Sequence, residues 1–196
     1  MIDSSLVMKL REMTGAGILD AKKALEDASG DVEKAIELLR KKGAIKAAKK
    51  GERMTHEGVV HCYVHANGKV GAMVELLCET DFVARNEQFQ GLAHDLAMHI
   101  AAANPLYLRP EDVPPEVLEK EKEIWAAEFA AGEKPAAVVS QILEGKVRKF
   151  YSETCLLKQA FIKDEDVTVE ELLQQGVAKL GENIQVKRFT RFSLGE

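Results

Sequence analysis

Val59-Val60-His61-Cys62-Tyr63-Val64-His65-Ala66, then Asn67-Gly68, then Lys69-Val70-Gly71-Ala72-Met73-Val74-Glu75-Leu76-Leu77-Cys78: this run decides the fold. β-branched and aromatic residues favour extended backbone, and Asn-Gly is the preferred pair for a two-residue hairpin turn. The run is therefore read as two antiparallel strands closing on Asn67-Gly68. In that register Cys62 faces Met73, so Cys62 and Cys78 are not a cross-strand pair. The second strand is apolar on nearly every residue from Val70 to Leu77, which predicts a central strand covered on both faces.

Downstream the period changes. Phe89, Leu92, Ala93, Leu96 and Ile100 recur at spacings of three and four, which predicts a helix over 85–103 ended by Asn104-Pro105. Pro110, Pro114 and Pro115 mark a loop. Further helices are expected over 116–131 and 135–153. Thr168 and Glu171 match a capping box, opening a helix that runs to about Leu180. Residues 184–194 read as a last strand, whose alternation slips after Val186 and predicts a bulge.

Upstream, residues 1–43 read as three short helices. Leu6, Leu10 and Met13 form a stripe on the first, and Thr14-Gly15-Ala16-Gly17 breaks it. Ile18, Ala21, Leu25 and Ala28 line the second. Asp31 is an N-cap for the third, which buries Val32, Ala35, Ile36 and Leu39 and is expected to stop at Gly43. Residues 44–57 read as a basic linker, at most partly helical. Between residues 40 and 53 stand seven basic side chains and one acidic one, either a solvated face or a contact for an acidic partner. The whole predicts an α+β chain: a helical module (1–43), a tether (44–57), and a core of antiparallel sheet packed with helices (58–196).

Composition excludes several classes. The chain has 196 residues, 46% apolar and 30% charged, with net charge −5. A weakly acidic total argues against general nucleic-acid binding. No apolar run suits a membrane span, and the start lacks a signal-peptide pattern, so a cytoplasmic location is expected. Cys62, Cys78 and Cys155 are read as reduced, inert core thiols. His61 and His65 share one side of a strand without a third ligand nearby in sequence. His94 and His99 lie about 140° apart around a helix, so they do not share a face. No metal or cofactor set is expected. Phosphate-binding loops and nucleophile elbows are lacking, so no catalytic residues are assigned and an enzyme is the least favoured class.

Two local features stand out. Glu79-Thr80-Asp81-Phe82-Val83 sits between the central strand and the helix. Thr80 or Asp81 could cap that helix, with Phe82 on its buried stripe seven residues before Phe89. Yet Arg85 and Asn86 occupy the intervening stripe positions and are polar. The alternative is an exposed aromatic beside a carboxylate on a projecting turn, a combination suited to protein contact. The second feature is Leu19, apolar among Lys22, Lys23 and Glu26. It is either a lone exposed leucine or, with Ile18, a small contact patch.

Both features fall in motifs that resemble the elongation factor Ts family, in its short bacterial form. The first is Leu10-Arg11-Glu12-Met13-Thr14-Gly15-Ala16-Gly17, continuing to Lys22-Lys23-Ala24-Leu25. The second is Glu75-Leu76 with Glu79-Thr80-Asp81-Phe82-Val83-Ala84-Arg85-Asn86. Gly181-Glu182-Asn183-Ile184, Arg188-Phe189 and Arg191-Phe192 are also similar to the family's ending. The resemblance implies a guanine-nucleotide exchange factor for elongation factor Tu, without covalent catalysis. It implies a ubiquitin-associated-like N-terminal module, with Arg11, Ile18 and Leu19 as contacts. The turn matched by Thr80, Asp81, Phe82 and Val83 would disturb the partner's Mg²⁺ and phosphate site. Short members are expected to pair, giving a homodimer and a two-to-two complex, through the sheet and last strand. The sequence departs from longer members in having no room for a helical-hairpin insertion and in ending without their C-terminal helix. Binding through Ile18 and Leu19 alone, as an adaptor, and RNA retention through the basic run are the competing readings.

Overall fold

A computed structural model describes residues 2–130 and 135–195. Its first unit is helical. α1 (Ser4–Thr14) is capped by Asp3, whose carboxylate accepts from the Ser5 amide at 3.1 Å, and ends on Gly15 at φ 65°, a left-handed conformation. α2 (Ile18–Asp27) and α3 (Val32–Lys50) follow, and Asp31 caps α3 through the Lys34 amide. Val7, Leu10, Ala21, Ala24, Leu25, Ala28 and Ala35 make the core of this unit. Two stripe assignments change. Met13 and Ile18 are exposed, because each sits at a helix end beside the glycine break rather than over the helix crossing.

The third helix does not stop at Gly43. α3 continues to Lys50, so the stretch read as a tether is helical over its first half. Glycine costs only about 1 kcal/mol inside a helix, and here it lets α3 pass close to a neighbour: a Cβ on Gly43 would meet the Ala178 side chain at 3.9 Å. Ala47 packs on the main core. The basic run is also partly consumed within the chain. Asp20 binds Lys42 at 2.6 Å and Lys46 at 2.9 Å, Lys50 donates to the Gly181 carbonyl, and Arg53 lies 3.5 Å from Glu79.

The second unit is an antiparallel sheet of β1 (Glu57–Val64), β2 (Val70–Cys78) and β5 (Gln185–Ser193), with β2 in the centre. Cys62 faces Met73 as the register predicts. The turn differs: Gly68 donates to the His65 carbonyl, and only Gly68 of the Asn67-Gly68 pair has positive φ, at 67°. Ala66 and Asn67 thus carry the turn, in the same register. Glu75 pairs Arg188 while Leu76 pairs Val186, which makes Lys187 the extra residue of the expected bulge.

One sheet face is buried on α5 (Glu87–Ala103) and α8 (Val169–Leu180), where Val74, Leu76, Phe89, Leu96, Ile100 and Val177 interlock. The capping box of α8 forms as read, Thr168 and Glu171 exchanging bonds. The other face is open, so β2 is not covered on both sides. Its apolar run reflects two environments: Val74 and Leu76 point into the core, Met73 outward.

α6 (Pro115–Ala130) and α7 (Ala136–Thr154) pack antiparallel, with the rings of Trp125 and Phe150 6.1 Å apart and Lys146 paired to Glu128. The two helices expected over 116–131 and 135–153 are both present, and they rest on each other through half-buried side chains. The expected helix end at Ala131 lies outside the described residues. A small hairpin, β3 (Ala160–Phe161) with β4 (Asp164–Thr168), was not foreseen; its Asp164-Glu165-Asp166 gives no strand pattern.

His99 is fully buried on α5. Its Nδ1 accepts from the Ile162 amide at 3.3 Å, so Nε2 carries the proton and donates to Gln159 Oε1 at 3.0 Å. Burial lowers its pKa, keeping the ring neutral.

Candidate functional site

β2 leaves the sheet at Cys78, and the chain turns sharply. Thr80 is extended and caps α4 (Asp81–Ala84), its Oγ1 accepting from the Val83 amide at 3.4 Å. Arg85 ends this single turn. Asn86, extended at φ −70° and ψ 134°, then starts α5 by accepting from the Gln88 amide at 2.8 Å. The helix is thus broken between Phe82 and Phe89, and their side chains part. Phe89 is fully buried, whereas Phe82 is 83% exposed. Of the two readings of this motif, projection is correct for Phe82, while Thr80 caps the separate turn α4 and the cap of the long helix is Asn86. The helix start expected at residue 85 moves to Glu87, because Arg85 closes the preceding turn.

Each residue of the turn has a distinct setting. The half-buried Asp81 faces the exposed Arg85 at 3.2 Å. Val83 packs on the main core, Ala84 is buried, and the Ala84 carbonyl accepts from Gln90 Nε2 at 2.6 Å. The aromatic tip therefore stands on an anchored base.

That base includes residues no local pattern disclosed. Glu182 Oε2 accepts from the Glu79 and Thr80 amides, both at 3.0 Å, and Oε1 accepts from the Thr80 hydroxyl at 2.6 Å. Glu79 Oε1 in return accepts from the Asn183 amide at 2.6 Å. The nearly buried Asn183 side chain donates to the Arg53 carbonyl at 2.8 Å. The Cys78 thiol donates to the Thr80 carbonyl at 3.2 Å. Burial first, then the negative charge of Glu182, pushes that thiol up to about 11, so it stays protonated at neutral pH.

The second tip lies in the helical unit. Gly15 turns the chain, Gly17 precedes α2 without a side-chain cap, and Ile18 and Leu19 open the helix. Leu19 is 82% exposed. Arg11 is exposed on α1. A cleft of about 800 Å³ separates this tip from α8, lined by Arg11, Gly17, Asp20, Lys42 and Lys179 among others. Phe82 does not line it.

The family profile described as elongation factor TS matches residues 8–196. The chain is 56% identical over 196 residues to an elongation factor Ts of Carboxydothermus hydrogenoformans, covering all of this chain and 90% of that protein. It is 54% identical to that of Thermosipho melanesiensis, covering 100% of both. With that of Thermotoga maritima it shares 55% over 195 residues, covering 100% of this chain and 97% of the relative. The chain belongs to the elongation factor Ts family. As a member of the elongation factor Ts family, it is a translation elongation factor.

Other chemical groups in this elongation factor Ts chain sit differently from expectation. His61 Nε2 lies 3.2 Å from His94 Nδ1 across β1 and α5, whereas His65 Nδ1 lies 3.1 Å from the hydroxyl of Tyr63 two residues before it, so His61 and His65 take different partners. Among the described residues no group of three or more His, Cys, Asp or Glu is gathered for a metal. Cys62 is exposed on the open sheet face, not a core thiol, because its strand position points away from α5. Cys78 and Cys155 are buried. Val60, Val64, Met73 and Phe192 are exposed on the same open face, with Arg188 bound to Glu75 at 2.6 Å. Among the described residues no helix is long and apolar enough to cross a membrane.

Proposed function

We propose that the chain is a guanine-nucleotide exchange factor for the GTPase elongation factor Tu, acting through the Thr80-Asp81-Phe82-Val83 turn. The observation that carries this reading is the pairing of an exposed Phe82 and a half-buried Asp81 with an anchored base. A large aromatic side chain left in water on a fixed turn gains nothing for folding. It contributes when a partner surface covers it. Inserted beside the partner's nucleotide, the turn would displace groups that hold Mg²⁺ and the phosphates. Mg²⁺ neutralises phosphate charge, so its loss weakens nucleotide binding.

Linkage sets the direction. A factor that binds the nucleotide-free GTPase more tightly than the loaded one must weaken nucleotide binding by the same ratio. No covalent step on this chain is involved. The unit over 1–43 serves as a ubiquitin-associated-like docking module, with Arg11, Ile18 and Leu19 on its contact side. The work is cytoplasmic, where translation proceeds.

The open sheet face makes the chain a homodimer in the same reading, giving a two-to-two complex. Val60, Val64, Met73 and Phe192 form a contiguous apolar patch across three strands, of the kind an isologous interface covers. Light scattering at micromolar concentration is expected to give a dimer, and Phe192→Asp a monomer. A monomeric parent protein contradicts the pairing.

The exchange reading is tested by GDP release from elongation factor Tu, with and without the chain. Acceleration is expected. Unchanged release at saturating concentration removes the proposal.

A further inference from the structure

The Glu79 and Thr80 amides occupy an awkward place. The last residue of β2 paired to β1 is Cys78, and the last paired to β5 is Leu77. Beyond them the ladder has ended and α4 has not begun, so neither amide has a sheet or helix partner. Unmatched amides in a part-buried junction are costly. Glu182 accepts both, and the Thr80 hydroxyl as well.

Glu182 arrives there by a specific local route. α8 ends on Gly181 at φ 81°, a left-handed turn that redirects the chain toward β5. The next two residues then meet the junction reciprocally. The Glu182 carboxylate takes the amides of 79 and 80, while the Glu79 carboxylate takes the amide of Asn183. This is the logic of a capping box, spread over segments about a hundred residues apart. Asn183 and Arg53 extend it to the end of α3, since Asn183 Nδ2 reaches the Arg53 carbonyl and Arg53 lies beside Glu79.

We propose that Glu182 is a positioning residue for nucleotide exchange, its carboxylate locking the backbone of Glu79 and Thr80 so that Phe82 is presented in one orientation. The inference rests on the exchange-factor reading above. Phe82 is exposed and has no core packing that would aim it, and Asp81 beside it is half-buried and paired to Arg85 of the same turn. Their direction is set by the backbone of Thr80, and Glu182 makes three of that junction's hydrogen bonds. Releasing them widens the arc through which the ring moves, and fewer encounters present it to the partner correctly. Docking by the helical unit, remote in sequence and built on its own core, is left in place.

The test measures fluorescent-GDP release from elongation factor Tu over a range of factor concentrations, for the parent chain, Glu182→Ala and Glu182→Asp. Thermal unfolding of each is followed in parallel. Misplacement by about 1 Å can cost up to about 10²-fold in rate. Glu182→Ala is expected to lower the maximal release rate by about tenfold, with the half-saturating concentration changed less than about threefold. Glu182→Asp keeps the charge but falls short of the amides, and is expected to lose part of the same maximal rate. A folded Glu182→Ala chain with the parent's maximal rate overturns the proposal. So does a loss confined to the half-saturating concentration. Should Glu182→Ala fail to fold, Glu182→Asp decides by the same two criteria. A parent chain without effect on GDP release overturns the exchange reading itself, a result distinct from an active parent with an indifferent Glu182.

Discussion

Phe82 and Phe89 stand seven residues apart on either side of Asn86, and they have opposite fates: 83% exposed and fully buried. In a continuous helix they would share a face. Asn86 prevents this by adopting an extended conformation and capping α5, which leaves the preceding turn as a separate element. The comparison teaches that exposure here is built into the backbone and is not a defect of packing. The buried phenylalanine works for the fold. The exposed one lies outside the core, while its base is tied down by hydrogen bonds to Glu182.

The contrast can be broken most forcefully at Phe89. Phe89→Ala is expected to destabilise the chain by about 3–5 kcal/mol, as large-to-small changes in a closed core do, measured by denaturant unfolding. Phe82→Ala is expected to shift stability by less than about 0.5 kcal/mol in the same assay. Comparable losses at both positions erase the distinction. The divider itself comes next. Asn86→Ala removes the cap of α5 and is expected to cost about 1 kcal/mol, with amide exchange accelerating at Glu87 and Gln88. A cost near that of Phe89→Ala points to a cap that organises the whole helix.

The smallest expected effect concerns pH. His99 lies on α5 and is held neutral by burial, so its folded pKa is lowered. An unfolded histidine titrates near about 6.5, and below that value the unfolded chain binds the extra proton first. The contribution of neutral His99 is therefore complete above about pH 6.5 and is lost as pH falls toward the folded value. His99→Asn is expected to lower stability at neutral pH and to flatten its decline below about pH 6.5, relative to the parent. An unchanged slope assigns the acid sensitivity elsewhere.

Much of the fold was legible because it is written in short-range signals. The Cys62–Met73 register, the bulge at Lys187 and the Thr168–Glu171 capping box each depend on neighbours in sequence or on strict alternation. What was not legible depends on packing between distant segments. Gly43 reads as a stop and is instead a close crossing of α3 on α8. The run from Val70 to Leu77 reads as doubly covered, although only one face meets helices. For the site, the polar pair Arg85-Asn86 already separates Phe82 from the buried stripe. The clamp from Glu182 and Asn183 was hidden, since no spacing rule links residues a hundred positions apart. Met13 and Ile18 fit helical stripes and are exposed, because a stripe says which face could be buried and not how far the partner helix reaches.

The most direct measurement is the rate of GDP release from elongation factor Tu at saturating concentrations of the parent chain and of Phe82→Ala, with the unfolding transition of both recorded. The parent is expected to accelerate release and Phe82→Ala to lose about tenfold or more of that acceleration at unchanged stability, the size of effect a central contact residue carries. Equal acceleration by the two proteins, or a Phe82→Ala chain whose lost activity tracks lost stability, contradicts an exposed tip that acts on the partner.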